Sequence, residues 1–172
     1  MEYSNKTEWE SYYPKKINYD YQSIHNLVKF GSIKVKSTSF TPDLILAIGG
    51  GGFIPARILR TYIDVPIVSM TVNFYNKNDQ IQETPNIIQM VDKTILEGKN
   101  VLIVDEVDDT RKTLGHIIEY FNVHDYNIKQ LGIFVVNNKI KEKVYNIPKN
   151  IYYYSCADTH DVWINYPWDN IN

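Results

Sequence analysis

Residues 101–114 read Val-Leu-Ile-Val-Asp-Glu-Val-Asp-Asp-Thr-Arg-Lys-Thr-Leu, and their order decides the fold. Val101 to Val104 form an unbroken apolar run with three β-branched residues, entered through Gly98-Lys99-Asn100. A strand buried on both faces of a parallel sheet has this composition. The run stops at four acids within five positions, Asp105, Glu106, Asp108 and Asp109. Thr110 and Thr113 come next, either of which can cap a helix, and Leu114, Ile117, Ile118 and Phe121 recur at helical spacing. The chain therefore leaves a buried strand, turns through an acidic loop and enters a helix N-terminus. Such a terminus binds anions through its N–H groups and the positive end of the helix dipole. The Thr110 and Thr113 hydroxyls and the Lys112 ammonium add donors there. Clustered carboxylates at a strand end repel one another unless something cationic sits among them.

Working outward, Thr41-Pro42-Asp43 launches a second apolar strand, Leu44 to Ile48, and Gly49-Gly50-Gly51-Gly52-Phe53-Ile54-Pro55-Ala56-Arg57 follows it. Consecutive glycines at a strand's carboxyl end let backbone N–H groups approach a polyanion. The stretch is neither a dinucleotide fingerprint, since Ile54 occupies the sixth position, nor a P-loop, since Phe53 follows Gly52. Ile54, Ile58, Leu59 and Tyr62 mark a helix after it, and Ile24, Leu27, Val28 and Val35 mark one before it, from about Asp20, with Gly31 a weakness. A third strand is expected near Ile67 to Val72, another over Ile128 to Val136, and a short last one at Ile151 to Tyr154. Between Asn73 and Gly98 the chain reads as a long polar loop, the kind that serves as a lid. Residues 1–19, rich in Tyr and Trp, read as an irregular arm or short edge strand. The tail runs Asp161-Val162-Trp163-Ile164-Asn165-Tyr166-Pro167-Trp168-Asp169.

With 172 residues, 44% hydrophobic and 22% charged, the chain fits one domain with a proper core. A net charge of −2, with Lys and Arg scattered, favours neither a nucleic-acid nor an acidic-membrane partner. No apolar run approaches a membrane span, and the polar N-terminus lacks a signal-peptide h-region, so a cytoplasmic location is expected. The single cysteine, Cys156, excludes an internal disulfide and reads as a buried strand end. His25, His116, His124 and His160 show no metal-ligand spacing.

The stretch 101–113 resembles the 5-phosphoribosyl-1-pyrophosphate (PRPP) motif of type I phosphoribosyltransferases: four apolar residues, two acids, two variable positions, then Asp-Thr-Gly-Lys-Thr. The one departure is Arg111 in the glycine position. The glycine stretch resembles the pyrophosphate loop of the xanthine–guanine branch, Arg-Gly-Gly-Leu-x-Pro-Ala/Gly, with Gly51-Gly52 on the glycine pair and Gly50 in the Arg position. The tail resembles the Trp-Ile-x-x-Pro-Trp-Asp segment of the same branch and of related fungal and archaeal enzymes. Over about residues 17–169 the resemblance implies an α/β fold. This would be a Rossmann-like type I phosphoribosyltransferase core with a mostly parallel sheet flanked by helices. It implies one domain over 1–172, with a core of about 20–156, a small hood from about 1–19 and 157–172, and a mobile loop over about 73–98 bearing Tyr75.

The resemblance further implies a purine salvage enzyme that joins a 6-oxopurine (hypoxanthine, guanine or xanthine) to PRPP, giving the nucleoside 5′-monophosphate and pyrophosphate. Asp105, Glu106, Asp108 and Asp109, with Thr110, Arg111, Lys112, Thr113 and Gly50 to Gly52, would bind PRPP. Asp109 would be the catalytic base. Lys139, Trp163, Ile164 and Asp169 would bind the purine, and Asp105, Glu106 and Asp169 would hold Mg²⁺. The cation replacing the missing loop Arg would be Arg57, Arg60 or Arg111. The plain alternative for Lys139 is a solvated surface lysine, with Lys141 and Lys143 beside it. A homodimer is expected. Two other functions stay open: a PRPP-binding regulator without turnover, and transfer to another nucleobase.

Overall fold

The computed structural model describes residues 16–75 and 81–169. In it the two apolar runs lie side by side at the centre of one sheet. Strand β2 (Leu44–Gly49) pairs in parallel with β5 (Asn100–Asp108), with Ala47 opposite Val104. Strand β6 (Gln130–Lys139) joins β5 on its other side, and β7 (Tyr152–Thr159) and β3 (Ile67–Tyr75) extend the parallel array outward. Strand β4 (Ile81–Gln89) closes one edge antiparallel to β3, so the order is β4-β3-β2-β5-β6-β7.

The apolar runs do not alternate because both faces are covered. Val104, Leu102, Ala47, Ile45 and Phe134 face helices α1 (Tyr21–Lys36) and α2 (Phe53–Ile63). Val101, Ile103, Leu46, Ile48 and Ile133 face helix α4 (Lys112–Val123), with Leu96 of the short α3 (Lys93–Leu96). Val101 to Val104 are all 0% exposed. Each such side chain contributes about 1.5–3 kcal/mol of burial. Helix α1 starts at an Asp20 cap, whose carboxylate accepts from the Ser23 amide at 2.6 Å. A second, two-stranded parallel sheet joins β1 (Lys16–Asn18) to β8 (Trp163–Asn165), with Lys16 opposite Trp163. The far tail thus returns to pair with the start of the described chain.

Three elements depart from the sequence expectation. Strand β5 does not stop at the acids: it stays paired with β6 as far as Asp108 opposite Asn138, because that neighbour supplies the ladder whatever the side chains are. Strand β7 likewise runs on to Thr159 beside β6. The stretch expected as a polar loop over 73–98 contains β4 and α3, since a polar edge strand needs only one partner. Residues 1–15 of the expected N-terminal arm, and residues 76–80 of the expected lid, lie outside the described residues.

Gly31, a weakness in helix propensity, is a packing requirement in space. A Cβ there would stand 2.5 Å from the Cys156 sulfur and 2.7 Å from the Phe134 ring, both fixed in the core. Burial also pushes the Cys156 thiol up to about 12. Propensity alone favours Gly31→Ala by about 1 kcal/mol, whereas overpacking a rigid site costs about 1–3 kcal/mol. Packing therefore wins: thermal unfolding of Gly31→Ala should show a lower Tm, and its thiol should react faster with a disulfide reagent. A Tm at or above the native value would contradict this packing.

Candidate active site

All three motifs selected from the sequence lie at the carboxyl end of the parallel sheet, where open α/β sheets bind ligands. Residues 105–108 end β5, Gly50 to Gly52 follow β2, and Tyr166 ties the tail to Glu106 on β5, with Lys139 ending β6 beside it. From Asp105 to Leu114 the chain lines a cavity of about 160 Å³. A larger cavity of about 600 Å³ lies at the opposite end of the sheet, by Gln130 and Ile151, away from every motif.

Helix α4 opens at Arg111 with no side-chain cap. The expected Thr110 or Thr113 cap is not formed, so the first-turn amides point at the cavity mouth without an intrahelical acceptor. Arg111 has φ +68°, in the left-handed region, which explains why the motif it resembles carries glycine there. The strain of about 1–2 kcal/mol is offset by what the side chain does. Its Nε and Nη2 donate to one oxygen of Asp108 at 2.9 and 2.8 Å, and its guanidinium lies over the Tyr153 ring at 5.2 Å. The Tyr153 hydroxyl donates to the same oxygen at 2.6 Å, and the Lys143 ammonium faces the other oxygen at 3.5 Å. Burial and this bond push the Tyr153 phenol far above its ordinary value, which keeps it a donor. The Asp108 carboxylate is 0% exposed. Asp108 and Arg111, both expected to bind PRPP, therefore turn their charges toward each other.

Asp105 and Glu106 behave differently. Burial, then the charge of Glu106, hold the Asp105 carboxyl well above the usual range. Glu106 lies against Gly51, where a Cβ would run into its carboxylate, and its buried Oε2 has no hydrogen-bond partner. An adjacent carboxylate pair with an unpartnered buried oxygen fits a divalent cation bridged to a diol. Among the described residues no three His, Cys, Asp or Glu side chains converge on one point, so other ligands would come from substrate oxygens.

Gly52 is packed against the backbone of Val104 and Ile48, whereas a Cβ at Gly50 would meet nothing within 4 Å. Of the three arginines expected to replace the missing loop cation, Arg111 is held by Asp108 and Arg57 turns to Thr61 on its own helix at 3.2 Å.

The lysines after β6 are not solvated surface charges. Lys139 donates to the Asp109 carboxylate at 3.2 Å and Lys141 pairs with its other oxygen at 2.9 Å. Lys143 donates to the carbonyls of Asp108 and Asp109 at 2.6 and 2.7 Å. Burial raises the Asp109 carboxyl, but the bonds from Lys141 and Lys139 outweigh it and hold the group below its ordinary value. Asp161 closes the arrangement, meeting Lys141 at 2.9 Å and Lys139 at 3.5 Å. Sequence reasoning missed Lys141, Lys143, Tyr153 and Asp161. The alternation Lys139-x-Lys141-x-Lys143 was the available signal for the lysines.

The tail joins the same edge. Trp163 is 68% exposed, its indole N–H on Asn165 at 2.7 Å, and Ile164 beside it is buried in the core. Tyr166 is buried, and its hydroxyl reaches the Glu106 carbonyl at 3.1 Å and the Asn137 side chain at 3.0 Å. Asn137 in turn donates to the Tyr19 hydroxyl at 3.0 Å. Tyr166 stacks on Trp168, with ring centroids 4.9 Å apart. Asp169 is exposed at the end of this segment, and Tyr75 ends β3, its side chain outside the described residues.

Comparison with known proteins agrees with this geometry. The phosphoribosyl transferase domain family matches residues 20–169. The hypoxanthine-guanine phosphoribosyltransferase of Schizosaccharomyces pombe is 39% identical, over 91% of this chain and 90% of that one. A hypothetical protein from Neisseria gonorrhoeae, solved with bound ppGpp, superposes with a TM-score of 0.83 at 40% identity, over 91% of this chain and 90% of that one. A purine phosphoribosyltransferase from Pyrococcus horikoshii superposes with a TM-score of 0.71 at 27% identity, over 92% and 97%. A family match over most of the length, similar relatives and close structural superposition have one meaning: the chain belongs to the phosphoribosyltransferase family and carries its type I fold.

Proposed function

We propose that this enzyme transfers the phosphoribosyl group of PRPP to a 6-oxopurine, releasing pyrophosphate and forming the nucleoside 5′-monophosphate. The observation that carries this reading is the Tyr166 bond to the Glu106 carbonyl, which ties the exposed Trp163 segment to the acid pair. A flat platform beside a diol-binding carboxylate pair suits a base next to a ribose. The name of the S. pombe relative supports the same substrate class.

In this reading the first-turn amides of α4, with the Thr110 and Thr113 hydroxyls, hold the 5′-phosphate, helped by the positive end of the helix dipole. Asp105 and Glu106 take the ribose hydroxyls and would hold Mg²⁺, with Asp169 a further candidate. A divalent ion held there would supply charge neutralisation for the departing pyrophosphate. Gly50 to Gly52 present backbone donors to that leaving group. Trp163 stacks on the purine, the Ile164 backbone meets its edge, and Lys139 donates to its exocyclic oxygen. Asp109 accepts the proton leaving the ring nitrogen. The loop bearing Tyr75 closes over the reaction centre and excludes water. The chain works as a homodimer in the cytoplasm.

Incubation with PRPP, Mg²⁺ and guanine, hypoxanthine, xanthine, adenine or uracil tests the reading. Nucleotide should form from at least one 6-oxopurine and from neither adenine nor uracil. No product from any base, with PRPP still bound, would leave a PRPP-binding regulator instead. Steady-state kinetics of Asp109→Asn should give a kcat lowered on the order of 10²–10⁴-fold, and an unchanged kcat would remove Asp109 from proton transfer. Gly50→Arg would set a cation into open space at the pyrophosphate loop. It should lower KM for PRPP by about two- to tenfold, the scale of one exposed charge-assisted contact to phosphate. A KM that rises would show that Gly50 is needed for itself.

A further inference from the structure

The four charges at the end of β6 form a closed ring. Going round it, Lys139 meets Asp109 at 3.2 Å, Asp109 meets Lys141 at 2.9 Å, Lys141 meets Asp161 at 2.9 Å, and Asp161 meets Lys139 at 3.5 Å. Two ammonium groups and two carboxylates sum to zero. Next to the ring, Asp108 is paired with both Arg111 and Lys143, which leaves one positive charge there that none of the ring's members alters. Asp161 lies two positions before Trp163, so the ring borders the surface where a base would stack.

We propose that Asp161 and Lys141 set selectivity among oxopurines by fixing the net charge beside the base. The inference rests on the reading that a purine sits between Trp163 and Lys139. Hypoxanthine and guanine are neutral near neutral pH and take a hydrogen bond from Lys139 as dipoles. Xanthine is a stronger acid and loses a ring proton near neutrality, so it is bound in part as an anion. A neutral ring gives that anion no net attraction. Asp161 is the member that cancels the second ammonium without being needed for proton transfer, and it penalises the anionic base. Lys141 acts in the opposite sense. Neither residue touches a reacting atom in this reading: they act through Lys139 and Asp109, as positioning and charge-setting residues.

Opposite charge changes must then produce opposite shifts, which a structural role would not do. The experiment measures kcat and KM for xanthine and hypoxanthine, at saturating PRPP in slightly alkaline buffer, for the native enzyme, Asp161→Asn, Asp161→Glu and Lys141→Met. Asp161→Asn should raise the ratio of xanthine to hypoxanthine kcat/KM by about three- to tenfold, chiefly through KM for xanthine, as for one charge a few ångströms away at a solvent-exposed site. Lys141→Met should lower the ratio by a similar factor, and Asp161→Glu should keep the native ratio. Added salt should shrink both shifts. Asp161 and Lys141 are partly exposed, at 51% and 27% of the side chain, so neither variant removes core packing. A ratio that is unchanged in both variants, or that moves the same way in both, overturns the inference while the base-binding reading stands. A native enzyme that turns over neither xanthine nor hypoxanthine overturns the inference, and one that turns over no 6-oxopurine overturns both.

Discussion

A fully buried carboxylate governs the arrangement at this edge of the sheet. Asp108 stands at the end of β5 with no solvent contact, and an uncompensated charge there would cost several kcal/mol. Three neighbours from three parts of the chain answer it: Arg111 at the start of α4, Tyr153 on β7 and Lys143 from the segment between β6 and β7. Each is thereby fixed relative to β5. Arg111 adopts a backbone conformation that suits glycine, and its two bonds to Asp108 exceed the strain, since charge-assisted bonds contribute about 1.5–3 kcal/mol each. The departure from the family motif is a local exchange of backbone ease for an internal ion pair.

The same compensation organises the segment after β6. Lys139, Lys141 and Lys143 alternate inward, while Ile140 and Glu142 between them are exposed. The Val144 amide also donates to the Thr110 carbonyl at 3.0 Å, so this segment straps the loop that carries Asp109. A carboxylate held by two ammonium groups is a weak base, as its lowered pKa records. A purine whose exocyclic oxygen takes Lys139 would return basicity to Asp109 at the moment of proton transfer. Under the proposed function, one lysine would thereby link base binding to base catalysis.

On the other side of the acid pair, the tail is anchored from within. Tyr166 reaches the Glu106 carbonyl, Asn137 and the Tyr19 ring, and burial holds its phenol far above its ordinary value, so it stays protonated. Pairing of β1 with β8 adds a backbone ladder to this attachment. Trp163 is left exposed on a segment that is otherwise tightly held, which suits a platform waiting for a flat ligand.

The amino-acid sequence by itself determined the strand–acid–helix order at 101–114, the glycine loop after β2, the aromatic tail and the α/β class. Each is written in consecutive residues, and propensity, periodicity and backbone freedom act over that range. It also marked Asp105, Glu106, Asp108 and Asp109 as chemically unusual, because like charges in succession need a partner. Only the tertiary structure decided that Asp108 turns inward, that Arg111 serves it, and that the lysines after β6 converge on Asp109 with Asp161. Those pairings join residues 3 to 35 positions apart. They depend on β6 lying beside β5, and a side chain's partner across a sheet is set by strand order and register, which no local pattern encodes.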